Sequence, residues 1–448
     1  MIRSRLALAL FSGGTLLLGS TLTIGCGGGE RARAVDPPSV NVATQGERSQ
    51  SPRDEREELK RLLTAFDGET HAARKAELAS QIDKTAHQRN ATATRLYWFT
   101  NLEDAKAEAK RTHRPILSLR LLGRLDEEYS CANSRFFRTA LYPNAIVRDA
   151  MEKDFVLHWS TERAAPLMTI DFGDGRVVKR TVTGNSLHYV LDEQGRPVDA
   201  IPGLYDPEAF RQRLDAARDL AKLVSANEDT REETLREAHK AELRRLASTF
   251  GRTAFKGRSV RLEDLRPFIE KAKDPKLAGN DSNAVNAPAA TLAMPVAATK
   301  AVVEFPLVRA RVETEEGHAL FLTNFFTQKG ERTGGNIVLD EHALFAMRAK
   351  SPHDWQSTGA PALVDDAQFG AMIAAFKRSM ASDTARNELS LHAEIHRWFA
   401  GDEKISFASL NERVYRELFK TPASDPWLGL MPPFAYTGIE DDGFVSSR

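Results

Sequence analysis

Cysteine is nearly absent from this sequence: 448 residues hold two, Cys26 and Cys131. That excludes a disulfide framework and a zinc site built from cysteine clusters. Excess charge of either sign is absent as well, because 62 Lys and Arg balance 62 Asp and Glu. Neutrality removes the electrostatic argument for binding nucleic acid or an anionic membrane surface. Long apolar runs are missing apart from Leu6–Leu18, which is short for spanning a bilayer. There is no P-loop, no G-x-S-x-G and no internal repeat. What remains is a chain of ordinary apolar content, long enough for two or three folded units.

The first stretch, "MIRSRLALALFSGGTLLLGSTLTIGCGGGE", has Arg3 and Arg5, then the apolar run, then "TIGC" ending at Cys26. That is the layout of a secretory signal. Its end resembles a bacterial lipobox, although Thr23 stands where that pattern prefers leucine. The resemblance implies that residues 1–25 are a signal peptide and that Cys26 is lipidated and becomes the first mature residue. The expected location is the bacterial cell envelope, membrane-anchored through lipid, on the periplasmic side or the cell surface. A lipidated Cys26 leaves Cys131 without an internal disulfide partner.

Residues 26–52, rich in Gly, Pro, Ser and Gln, are expected to be a disordered tether. Residues 53–94 read as a helical segment, with Leu59, Leu62 and Leu63 at helical spacing among charges. Residues 95–222 alternate helices and strands, 223–272 form a charged helical connector, and 273–299 read as a linker of small residues and proline. Residues 300–448 are expected to form a C-terminal α+β domain. There "HALFLTNFF" and "GNIVL" look like two strands around a turn, with helices over Asp366–Met380, Thr384–Phe399 and Phe407–Phe419. The fold class is therefore α/β.

Within 95–222, a helix "NLEDAKAEAKRTHR" stops before Pro115, since the residue preceding proline is driven out of helical geometry. The strand "PILSLRLL", a helix start at "CANSRFFRTAL", the helix "NAIVRDAMEKD" and the strand "FVLHW" follow. A strand pair turns at Gly173–Gly175, a hairpin turns at Glu193–Gly195, and a last helix is capped by Asp206 with Pro207 in its first turn. This order, with the lead-in "LEDAKAEAKRTHRPI" and the distance from Cys131 to Phe155–Val156, resembles the thioredoxin-like domains whose motif reads C-H-W-C-H. The resemblance covers a quarter to a third of the chain. It implies a mixed sheet with flanking helices and a redox motif at Cys131.

Three departures bear on that chemistry. Ser134 stands at the second cysteine of C-x-x-C, "LLGRLDEEYS" lengthens the approach to the motif, and Ser186 falls where the resemblance puts a cis-proline. A cysteine at a helix N-terminus is a stabilised thiolate. Without a partner at 134 it cannot resolve a mixed disulfide, so dithiol reduction is excluded. Two readings stand: a binding or scaffold domain in which Cys131 is buried filler, and a monothiol oxidoreductase using Cys131 with Ser134 as hydrogen-bond donor. The partner is then an envelope protein or a thiol-bearing molecule, with no nucleic acid and no cofactor. Elsewhere, Glu388, His392 and His396 lie on one helix face and could bind zinc, although an exposed face laced by i,i+4 pairs gives the same spacing. "DFGDG", Asp171–Gly175, reads as a hairpin turn.

Overall fold

The computed structural model describes residues 51–181, 184–254, 334–350, 353–354, 362–401 and 403–428. All of these belong to one unit, Gln50–Arg448. The expected signal peptide, Cys26, the linker 273–299 and the "HALFLTNFF" strand lie outside the described residues. Among the described residues no helix is long and apolar enough to cross a membrane.

Two helices, α1 (Pro52–Gly68) and α2 (Ala72–Thr85), pack through Leu59, Leu63 and Ile82. Ser51 caps α1 by accepting from the Asp54 N–H, with Pro52 at the first position, where no N–H is needed. Helix α3 (Leu102–Thr112) is capped by Asn101 and stops at His113, which is left-handed, two residues before Pro115. Strand β1 (Ile116–Leu122) follows, buried at every position but Arg120, as a central strand must be.

From β1 the chain runs through α4 (Ala132–Phe136), which continues as a π-helical turn, and α5 (Ala145–Asp154) to β2 (Val156–Arg163). It then makes a separate ribbon of β3 (Leu167–Asp171) and β4 (Val177–Thr181), turning through Gly173 and Gly175, both at positive φ. Strands β5 (Ser186–Leu191) and β6 (Pro197–Pro202) return to the main sheet, whose order is β2-β1-β5-β6. β1 is parallel to β2 (Ile116 opposite Val156) and antiparallel to β5 (Leu121 opposite Ser186); β5 and β6 form the expected hairpin. Helix α6 (Pro207–Ala226) is capped by Asp206, which accepts from the Ala209 N–H at 3.0 Å. It buries Phe210, Leu214, Ala217, Ala221 and Val224, one face at helical spacing. Helix α7 (Arg231–Ala254) follows.

The C-terminal part supplies α8 (Glu341–Ala349) and α9 (Asp366–Arg386), which runs without a break through a π-helical segment, Asn387–His392, into α10 (Ala393–Phe399). Helix α11 (Phe407–Arg413) likewise extends through Val414–Leu418. Two expectations change here. "GNIVL" is not a strand: Gly334–Asn336 is a short 3₁₀ turn, and Ile337–Leu339 pair with no strand among the described residues. Ile337 and Leu339 are buried while Val338 is 72% exposed, so the alternation is strand-like. The polar contacts here are made by side chains instead: Asn144 donates to the Val338 carbonyl and Asp340 accepts from the Ala145 N–H. The second change concerns packing. Leu391, Ile395, Trp398, Leu410, Val414, Tyr415 and Leu418 belong to the same hydrophobic cluster as the β1 and β5 side chains. The described part of residues 300–448 thus shares the core of the sheet rather than building its own.

His158 on β2 and His188 on β5 sit in this core, and burial pushes both down to about 3. Their neutral forms are native, so their stabilisation is complete above the unfolded value near 6.5 and is lost as pH falls below it. Each should cost up to about 1.4 kcal/mol per pH unit in that window. The melting temperature should therefore fall between pH 6.5 and 5, and fall less in a His158→Gln chain. A flat profile there would contradict this burial.

Candidate functional site

Cys131 directly precedes α4, where the sequence expects it. Its N–H donates to the Leu122 carbonyl at 3.0 Å, which joins the helix head to the end of β1, and its carbonyl accepts from the Arg135 N–H. The side chain has no accessible surface and lies in the main hydrophobic cluster. Ser134 is equally buried, but its hydroxyl turns away: it donates to the Cys131 carbonyl at 2.8 Å and lies 2.6 Å from Ser130 Oγ. Ser134 thus closes the first turn of the helix through the backbone.

Ser186 begins β5 opposite Leu121, and its hydroxyl is buried without a protein partner. Just before it, the Gly184 carbonyl accepts from Asn133 Nδ2, so the entry to β5 lies against the head of α4. The structure therefore brings Cys131, Ser134 and Ser186 into one neighbourhood.

The long approach "LLGRLDEEYS" is held by a residue to which the sequence assigned no firm role. Arg138, one turn after Ser134, is 1% exposed and donates to the carbonyls of Leu125 and Glu127 and to Ser130 Oγ. Burial pushes its guanidinium down to about 10. Arg135 reaches Thr181 on β4, and Thr181 in turn donates to the Ser130 carbonyl. Gly123 makes the first bend at φ +75°, where a Cβ would stand 3.0 Å from Ser130 Cα. Both arginines beside the motif are thus committed to holding a loop.

The C-terminal segment closes the remaining side. Arg163, at the end of β2, donates to the carbonyls of Thr421, Pro422 and Asp425, and Asn185 donates to Thr421 Oγ1. Tyr189 donates to Asn411, which donates to Glu162. Tyr415 is buried, and burial pushes its phenol far above the ordinary value, with Glu162, Tyr189 and Cys131 adding to the push.

The Glu388, His392 and His396 face is buried, which corrects the exposed-face expectation: His392 has no accessible surface and His396 is 2% exposed. The face meets two residues the sequence did not flag, Asp199 on β6 and His239 on α7. His392 Nε2 lies 2.9 Å from Asp199 Oδ1, while Glu388 lies 3.7 Å from His392 Nδ1, beyond a hydrogen bond. His396 Nδ1 lies 2.8 Å from His239 Nδ1, and His239 Nε2 lies 3.0 Å from the Val198 carbonyl. Burial opposes charging His392, but the Asp199 and Glu388 carboxylates outweigh it and hold it up at about 9. Burial would raise Glu388, yet His392, Arg213 and Arg245 hold it down at about 2. Burial pushes His239 and His396 down, so these two stay neutral. No periodicity could have found Asp199 or His239, because their partners lie 193 and 157 residues away.

No protein-family model, no curated protein and no solved structure matches the chain.

Replacing Arg138 by Ala should lower stability by about 3 kcal/mol, because the buried Leu125 carbonyl and Ser130 hydroxyl and the part-buried Glu127 carbonyl lose their donor. Ser134→Ala should cost no more than about 1 kcal/mol. Urea unfolding followed by circular dichroism measures both; an Arg138→Ala chain as stable as wild type would remove the arginine from this role.

Proposed function

We propose that this chain is an exported, lipid-anchored protein of the bacterial cell envelope whose thioredoxin-like domain, residues 95–222, serves in binding or scaffolding rather than in redox catalysis. Support for the family comes from element order: parallel β1 and β2 joined by helices, an antiparallel β5–β6 hairpin, a closing helix, and Cys131 at the helix head after β1. One observation carries the functional half. The thiol has no accessible surface, and the hydroxyl at position 134 is turned into the backbone. A thiolate must reach a sulfur in line to exchange with it, and here protein occupies that approach. The monothiol alternative would require the core around Cys131 to open. Anchoring rests on the basic start, the apolar run and Cys26.

Two measurements test this. In an insulin-reduction assay and in a glutathionyl-peptide exchange assay, wild type and Cys131→Ala should be equally inactive. Turnover that disappears in Cys131→Ala would establish the monothiol enzyme instead. For the anchor, expression in a bacterial host with labelled palmitate should place label in the wild-type chain and none in Cys26→Ser. An unlabelled wild type recovered soluble with its first residues intact would refute the lipoprotein.

A further inference from the structure

We infer that Asp199, His392 and His396 form a binding site for a divalent first-row transition ion of the zinc type, which joins the helix Asn387–Phe399 to the edge strand β6. This site lies apart from Cys131 and does not depend on the function proposed above.

The donor set comes first. One donor atom from each of the three residues lies within 4.8 Å of the others. Donors about 2.0–2.2 Å from a tetrahedral ion stand roughly 3.4 Å apart, so small rotations about the side-chain bonds close the set. Two imidazoles and a carboxylate are ligands for zinc and its first-row neighbours, and an all-oxygen preference excludes calcium and magnesium as the fitting ions.

An unpartnered buried nitrogen gives the second, independent observation. His239 Nε2 lies 3.0 Å from the Val198 carbonyl, which only accepts, and its Nδ1 lies 2.8 Å from His396 Nδ1. The other nitrogen of His396, Nε2, is buried without any partner. A buried polar atom with nothing to bond is costly in a folded core. In a cluster with a second imidazole and a carboxylate, a cation is the occupant that satisfies it.

The surroundings match what metal-bound histidines require. Such histidines usually donate their second nitrogen to an acceptor that fixes the ring. His396 Nδ1 is held at 2.8 Å from His239, which reaches the Val198 carbonyl, whereas His392 Nδ1 stands 3.7 Å from Glu388 and is oriented by its charge without a hydrogen bond. Glu388 is itself held by Arg245 at 2.6 Å and by Arg213 at 3.5 Å. It is therefore a positioning residue and not a ligand, which revises the sequence-based triplet. On binding, the ion takes the His392 nitrogen and the Asp199 oxygen that now face each other at 2.9 Å. Burial of all three donors marks the ion as structural.

The test uses the full chain, stripped with dipicolinate and titrated with Co(II) and then Zn(II). One equivalent of Co(II) should bind with visible d–d absorption, one Zn(II) should displace it, and the loaded protein should melt at higher temperature. Asp199→Asn, His392→Gln and His396→Gln should each weaken binding at least tenfold, whereas His113→Gln, a surface histidine, should not. X-ray absorption of the zinc-loaded wild type needs no variant to fold: it should show two imidazoles and an oxygen shell at about 2.0–2.1 Å. A wild type that takes up no metal overturns the inference. So does binding that survives His392→Gln/His396→Gln, or an absorption spectrum without imidazole.

Discussion

A carboxylate on an edge strand, buried in the core, is the constraint from which much of this architecture follows. Asp199 is 7% exposed on β6, the last strand of the sheet. Burying a charge there costs several kcal/mol unless a partner of opposite sign comes with it. The partner is His392, 193 residues later in the chain, held charged by the carboxylates it faces. Meeting that need draws the helix Asn387–Phe399 onto β6, while Arg231 and His239 occupy the Pro197 and Val198 carbonyls of that strand. Neighbouring contacts follow the same line. Asn387 donates to the Leu204 carbonyl, the Asp206 N–H donates to Thr384, and Gly203 has no side chain because a Cβ there would stand 2.6 Å from Asn387 Nδ2.

The segment 421–425 is held through its backbone carbonyls. Arg163 donates to three of them in the segment 421–425, and this brings that segment against the entry to β5. Its consequence is chemical. The head of α4, with its unpaired N–H groups, is where a thiolate would gain stabilisation and meet a substrate. Here it faces protein, and the arginines beside it bind carbonyls and Thr181 in place of an anion. A cysteine in that position behaves as a small apolar core residue.

How far the sequence foretold this depends on the range of each interaction. The turns at Gly173–Gly175 and Gly195, the Asp206 cap with Pro207, and the stop before Pro115 are local events, and all stand where the residues indicated. The alternation of Ile337, Val338 and Leu339 was legible too, but not the partner. Asn144 and Asp340 serve that segment in place of a neighbouring strand. For the histidine cluster, four-residue spacing showed which side chains share a helix face but not that the face is covered. The same spacing also fits an exposed face laced by i,i+4 pairs, and only the long-range contacts with Asp199 and His239 decide between the two. Arg138 gave no distinctive signal, since its task is set by a loop whose path only the folded chain defines.

The central claim is that the C-terminal helices are part of the one core that seals Cys131, rather than a cover that comes and goes. Native-state labelling of Cys131 tests it most directly, in a Cys26→Ser chain with a thiol reagent at rising urea. The opening free energy and its urea dependence should equal those of global unfolding followed by circular dichroism. Labelling through a smaller opening, with a shallow urea dependence and a lower free energy, would contradict the single core and expose a thiol that this account holds closed.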